Sequence, residues 1–195
     1  MKIVIASDNP GKIKEFKEIF SCFNFDIISK RQAGVLDEVE ETGNSFKQNA
    51  ILKATAIFKK TKLPTIADDS GLEVFALNNE PGIFSARYSQ TKTEKATDEK
   101  NNLKLLKEME DKKNKKARYV CALCFINSKG KVFNILETVE GKIATKQQGE
   151  NGFGYDPLFL YGEKTFAQIP SKIKNKISHR AKAVKKLLKN IKNWI

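Results

Sequence analysis

The sequence predicts a single α/β domain over residues 1–195, with a central mixed sheet flanked by helices. Three observations predict it. Short apolar strands alternate with helix-period segments through the first half of the chain, the pattern of α/β folds. A hairpin signal follows in the second half and adds adjacent strands. A length of 195 residues with 40% hydrophobic content is enough for one good-sized core.

Each element has its own signal. Lys2–Ala6 (KIVIA) is a short apolar run typical of a buried strand. Across Asn9–Cys22, Ile13, Phe16, Ile19 and Phe20, with Phe23 beyond, recur at helical spacing, and Pro10 suits a first helical turn. Phe25–Ser29 reads as a second strand. Thr42–Thr61 reads as a long helix whose apolar side carries Phe46, Ala50, Ile51, Ala54, Ile57 and Phe58. Thr65–Leu77 reads as strand, turn, strand, with the turn at Ser70-Gly71. Thr97–Glu110 is a helix with Leu103, Leu106 and Met109 inward. Arg118–Ile126 and Lys131–Val139 are strands joined by NSKG, a hairpin turn. Ser178–Trp194 is the last helix, with Ala181, Val184, Leu187, Leu188 and Ile191 on one stripe.

Composition narrows the class. No run of about 18 apolar residues is present, so no membrane partner is expected, and the N-terminal apolar stretch is too short for a signal peptide. Cys121 and Cys124 form a C-x-x-C pair inside YVCALCFI, which reads as a buried strand. With Cys22 as the third cysteine and His179 as the one histidine, core thiols in a reducing cytoplasm are expected rather than a zinc site. The net charge of +13 is uneven: Glu163 to Ile195 holds ten Lys or Arg and one acid. Such a surface attracts polyanions, and lysines on solvated faces are the plain alternative.

Four segments are too polar, or too rich in glycine, for folding alone to explain. Ser7, Asp8, Asn9, Pro10, Gly11 and Lys12 follow the first strand and open a helix, where free N–H groups and a partial positive charge suit phosphate. The alternative is a helix cap made by Ser7 or Asp8. In Glu40–Ala54, Glu40 and Glu41 precede a Thr-Gly turn; they either favour the helix dipole or place a carboxylate for a hard cation, and Lys53 can reach solvent or a phosphate. In Ala67–Glu73, Asp68 and Asp69 end an apolar strand. Neighbours on a strand face opposite ways, so one of them needs the turn to redirect it. Magnesium takes one or two protein carboxylates plus phosphate oxygens, and a carboxylate beside it can take a proton from water; an Asx-type turn is the simpler reading. The fourth set joins Gly152–Phe159 to Lys174–Ala181. Phe153 between two glycines is an aromatic on which a base can stack. Ser178 is a natural N-cap, which puts His179 and Arg180 in a first helical turn where positive charge is disfavoured. A local rule broken in this way points to function.

Taken in order, SDNPGK, EETGNSFKQNAILKA, ADDSGLEV, PGIFSARYS, GFGYDPLF and ISHRA resemble the inosine triphosphate pyrophosphatase (XTP/dITP diphosphatase) family over nearly the whole chain. The resemblance implies hydrolysis of non-standard purine nucleoside triphosphates to the monophosphate and pyrophosphate, with Mg2+. It also implies a cytoplasmic homodimer and an elongated fold of two lobes around a substrate cleft. By motif, Ser7–Lys12 and Lys53 would hold the triphosphate and Ser70 would touch substrate. Glu41 and Asp69 would serve the metal with Asp68 near it, and Asp69 would also accept the proton of the attacking water. Phe153, Gly154, Tyr155, Asp156, Lys174, His179 and Arg180 would form the nucleoside pocket. The chain departs from the pattern at Asp8, where the family often has a small residue, at Asn151, which replaces a frequent glycine, and at Ile173, where an acid is common.

Three rivals compete, one of them a nucleotide-binding regulator with no turnover, which only the intact acidic set argues against. A septum-type nucleotide pyrophosphatase of related fold should lack the Ser-His-Arg segment. A basic nucleic-acid-binding protein would need an RNP, zinc-finger or helix-turn-helix signature, and none is found. No nucleic acid is therefore required as a partner.

Overall fold

The computed structural model describes residues 1–21 and 23–194, Lys192 without its side chain. Cys22, at the end of the first expected helix, lies outside the described residues. The elements in chain order are β1 (Lys2–Ile5), α1 (Pro10–Phe20), β2 (Asp26–Ser29), α2 (Phe46–Thr61), β3 (Thr65–Val74), α3 (Asp98–Glu108), β4 (Lys116–Ile126), β5 (Val132–Ile143), β6 (Phe159–Tyr161), β7 (Lys164–Thr165), α4 (Ser171–Ile177) and α5 (His179–Trp194). Among the described residues these strands form a seven-stranded mixed sheet in the order β2-β1-β3-β4-β5-β6-β7. β1 pairs parallel with β2 and β3, through Ile3↔Ile27 and Val4↔Thr65, while β6 runs antiparallel to both β5 and β7.

The chain forms two compact units. One comprises Met1–Asp69, Cys121–Glu137 and Arg180–Ile195; the other comprises Ser70–Val120 and Thr138–His179. β3, β4 and β5 each contribute residues to both. The first unit buries Ile3, Ile5, Phe16, Phe20, Ile66, Cys121, Leu123, Phe125, Val184 and Leu187 in one cluster. This is where the expected stripe of α5 goes. Each fully buried Phe, Ile or Leu contributes about 1.5–3 kcal/mol of transfer free energy, so this apolar set is what seats α1 and α5. The second unit has its own core, with Leu72, Leu105, Tyr119, Val139, Tyr155, Phe159 and Phe166. Cys121 and Cys124 are buried, unbridged thiols. No helix among the described residues is long and apolar enough to cross a membrane.

Several expected elements are redrawn. α1 is capped by Asn9, not by Ser7 or Asp8: its side chain accepts from the Lys12 N–H at 3.0 Å. α2 starts at Phe46 instead of Thr42, because Ser45 is the N-cap and accepts from the Gln48 N–H. β3 is one continuous strand with no turn at Ser70-Gly71, and the polar Asp-Asp-Ser run is extended backbone within it. In α3 the inward side carries Asn101, Asn102, Leu105 and Met109, while Leu103 is 55% exposed. The asparagines find hydrogen-bond partners inside and rotate the helix away from the apolar choice. α4, β6 and β7 were not expected; they are too short to show a period.

Candidate active site

In the first unit, the continuous strand β3 sends Asp68 and Asp69 to opposite faces with no turn to redirect either. Asp68 is 1% exposed. It accepts from Arg180 Nε at 3.2 Å and Nη2 at 3.4 Å, from the Cys121 thiol at 3.1 Å, and pairs with Lys12 Nζ at 2.5 Å. Burial alone would raise its pKa, but Arg180 and Lys12 override that and hold Asp68 well below the usual 3.8. Arg180, itself 1% exposed, also pairs with Glu15 through Nη1. This resolves the sequence puzzle of an arginine in a first helical turn: its charge is met by two buried carboxylates, not by the helix.

Asp69 looks the other way. Its Oδ1 lies 2.8 Å from Lys53 Nζ and its Oδ2 accepts from Asn49 Nδ2 at 3.2 Å. The same ammonium bonds Glu41 Oε1 at 2.7 Å and the Asp68 carbonyl at 2.9 Å. Burial pushes Asp69 above the ordinary carboxylate value even though Lys53 works against it. Burial also acts to lower Lys53, but Asp69 and Glu41 prevail and raise it. Two carboxylates therefore converge on one cation, at a carboxylate biased toward taking a proton. Among the described residues no three His, Cys, Asp or Glu side chains gather as a metal site. The donor set that fits a hard cation is the oxygen pair Glu41 and Asp69, with ligand oxygens completing the shell; Asp68 does not fit, being enclosed by cations.

The Ser7–Lys12 segment shapes the strand-to-helix corner. The Ser7 hydroxyl accepts from the Asn9 N–H at 3.1 Å, and Pro10 and Gly11 begin α1. Asp8 pairs with the buried Lys30 ammonium at 2.7 Å, so this departure from the family pattern is neutralised locally. Ser70, next along β3, is half-buried.

In the second unit, Gly152–Asp156 folds back on its own carboxylate. Asp156 is 1% exposed, accepts from the Phe153 N–H at 3.1 Å and from Tyr119 Oη at 3.4 Å, and pairs with Lys174 Nζ. Gly152 holds φ +80°, and a Cβ there would stand 1.9 Å from Asp156 Oδ2. Phe153 is half-buried with Lys174 Nζ 5.1 Å from its ring centre. The Tyr155 hydroxyl donates to the Ser85 carbonyl at 2.9 Å. His179 is 4% exposed and stacks on Tyr119 with centroids 4.6 Å apart and planes 12° from parallel. Phe153, Asp156, Lys174 and His179 are thus gathered around residues of one unit, whereas Arg180 directs its guanidinium at Asp68 and Glu15. The lysines of the basic C-terminal stretch divide likewise: Lys182, Lys185, Lys186 and Lys189 are solvent-exposed, and Lys174 is buried. Sequence reasoning missed Glu15, Lys30, Asn49 and Tyr119. Glu15 and Asn49 carry a signal in retrospect, since each is a polar residue beside inward apolar positions of its helix.

A family model described as the Ham1 family matches residues 3–190. The chain belongs to the Ham1 family. It is 46% identical over 191 residues to a dITP/XTP pyrophosphatase of Bacillus subtilis, covering 95% of this chain and 94% of the relative. The Staphylococcus aureus Ham1 protein has a solved structure that superposes with a TM-score of 0.86 at 42% identity, covering 99% of both chains. A solved structure from Mycobacterium abscessus, named a nucleoside-triphosphatase / dITP/XTP pyrophosphatase, gives a TM-score of 0.75 at 37% identity over 96% of this chain and 99% of that one. The family match, residues 3–190, includes residues of both units and every site segment described above.

Proposed function

We propose that this Ham1 chain hydrolyses non-standard purine nucleoside triphosphates such as dITP, ITP and XTP to the monophosphate and pyrophosphate. The observation that carries the reading is the Glu41–Lys53–Asp69 cluster: two carboxylates sharing one cation at 2.7 and 2.8 Å, in a chain whose full-length relatives are named dITP/XTP pyrophosphatases. Hydrolysis cleaves the anhydride bond beyond the α-phosphate. A water oxygen bonds to phosphorus, pyrophosphate leaves, and a water proton must be taken up.

Asp69 is the proton acceptor in this proposal. A carboxylate raised by burial holds a proton more readily than an ordinary one, which suits a general base. Glu41 and Asp69 would hold Mg2+, which when bound screens phosphate charge and activates water. Lys12, Lys53 and the N–H groups at the start of α1 would hold the phosphates, with Ser7, Asn9, Pro10 and Gly11 shaping that corner and Asp8 kept from the anions by Lys30. Asp68 serves to fix Lys12 and Arg180 rather than to ligate metal. Phe153 would stack on the base, with Gly154, Tyr155 and Asp156 shaping its loop, while Lys174 and His179 supply the side-chain donors of the nucleoside set. Such donors satisfy the 6-carbonyl of hypoxanthine or xanthine and are left unpaired against the 6-amino group of adenine, a mismatch worth about 10⁴-fold in a dry site. Arg180 acts at one remove, through Asp68. A cytoplasmic homodimer completes the proposal and rests on family resemblance.

Pyrophosphate release from inosine and adenosine triphosphates, each with and without Mg2+, tests the reading. Magnesium-dependent release strongly favouring the inosine substrate is expected. Equal turnover of both would overturn the base assignment, and unchanged release in chelator would overturn the metal.

A further inference from the structure

α3 carries tandem asparagines, Asn101 and Asn102, each 2% exposed. Asparagine is a poor helix former and costly to bury, so each needs a local reason. Asn101 has a complete one. Its Oδ1 accepts from the Ser89 N–H at 2.8 Å and the Ser89 hydroxyl at 2.7 Å, and its Nδ2 donates to the Ser85 and Ala86 carbonyls at 3.3 Å. Asn102 differs. Its Nδ2 donates to the Gly154 carbonyl at 3.0 Å, while its buried Oδ1 has no hydrogen-bond partner among the described residues. Exchanging oxygen and nitrogen would set two acceptors against each other, so the bond to Gly154 fixes the amide. A leucine of similar size would avoid the orphaned acceptor. Folding of α3 therefore does not account for Asn102; its hold on Gly154 does.

One turn earlier, the exposed Asp98 accepts from the Gly154 N–H at 2.7 Å. Two side chains of one helix thus take both backbone groups of a single residue, held at φ +63°. That residue directly follows Phe153, whose own N–H is tied to Asp156. The Phe153 peptide is anchored on one side by Asp156 and on the other by α3.

We infer that Asp98 and Asn102 are positioning residues that clamp the Gly154 backbone and so fix the Phe153 ring as the stacking platform for the purine base. The inference rests on the proposed nucleoside role of Phe153. A displaced ring binds the base less well in ground and transition states alike, so KM rises while kcat holds.

The test compares Asp98→Ala, Asp98→Asn, Asn102→Leu and Phe153→Ala in the full chain. It measures kcat and KM for inosine triphosphate, the inhibition constant of base-free inorganic tripolyphosphate, and calorimetric binding of inosine monophosphate. Asp98→Ala and Asn102→Leu are expected to raise KM about tenfold and weaken monophosphate binding to match, within the range of base–aromatic stacking. Their kcat should stay within about twofold and tripolyphosphate inhibition should not move. Asp98→Asn should restore most of the affinity, because its amide oxygen still accepts from Gly154. Asp98 is exposed, so its alanine variant tests the clamp even if Asn102→Leu folds poorly. A normal KM in Asp98→Ala beside a raised KM in Phe153→Ala would overturn the clamp. So would an equal loss of tripolyphosphate affinity, which marks general damage. A normal KM in Phe153→Ala would instead overturn the stacking reading beneath it.

Discussion

The middle of β3 and the Gly152–Asp156 loop hold their polar groups by different means. On β3, extended backbone turns Asp68 and Asp69 to opposite faces, and no special residue is needed to aim them. Each carboxylate then meets its own cations, Lys12 and Arg180 for one and Lys53 for the other. The loop has no ladder to rely on. Its pose comes from positive φ at Gly152 and Gly154, from Asp156 turned back onto the Phe153 N–H, and from two side chains of α3. A strand presents chemistry by register; a loop needs a second ring of residues to present anything at all.

The comparison is broken most directly at Asp69. Asp69→Asn keeps the strand but leaves one amide oxygen for two donors, Lys53 Nζ and Asn49 Nδ2, and removes the proposed proton acceptor, so kcat for inosine triphosphate should fall about 10²–10⁴-fold. A variant keeping a tenth of the wild-type rate would remove Asp69 from its assigned role. Its neighbour should behave in the opposite way. Asp68→Asn leaves Arg180 and Lys12 facing a neutral group in a buried site, and a loss of about 3–5 kcal/mol in denaturant unfolding is expected.

The same residue sets an acid limb. Its folded pKa is depressed, so its contribution to stability is present above the unfolded value of about 3.9 and is lost as pH falls through the lower folded value. Unfolding free energy measured between pH 5 and pH 2 should drop with falling pH in the wild type, and Asp68→Asn should flatten that drop.

The loop is sharpened by Gly152→Ala. The new Cβ meets the Asp156 carboxylate and φ is strained, so KM for inosine triphosphate should rise about tenfold with little change in the Mg2+ titration. An unchanged KM would mean that the loop pose is unimportant to the base. Least affected should be the exposed α5 surface. Lys186→Ala removes a pair with Glu137 at 2.8 Å and should cost under about 1 kcal/mol in the same unfolding assay.

Where sequence and structure diverge, the cause is the same in each case. The β3 acids were legible because apolar residues flank them, yet the expected turn is not formed: Ser-Gly carries a local turn preference that the continuous strand overrides. Hydropathy ranks Leu103 above Asn101 and Asn102 for the inward face of α3, and the carbonyls that take the two asparagine amides inward, at Ser85, Ala86 and Gly154, lie far off along the chain. His179 and Arg180 break a local rule by sitting in a first helical turn, and that pattern is all the sequence offers about them. It could not say that His179 stacks on Tyr119 while Arg180 meets Glu15 and Asp68.

The sequence by itself determined the α/β class, the places of β1, α1, α2, β4, β5 and α5, and the segments rich in chemistry, because hydrophobic period and turn residues act over a few neighbours along the chain. The tertiary structure decided which carboxylate is held below the usual range and which is pushed above it, and which helix bonds the Phe153 loop. Those outcomes depend on charges and hydrogen-bond partners far apart in sequence, as with Asp68 and Arg180 across 112 residues and Asn102 and Gly154 across 52. A local pattern carries no information about such partners until burial brings them together and removes water as the alternative.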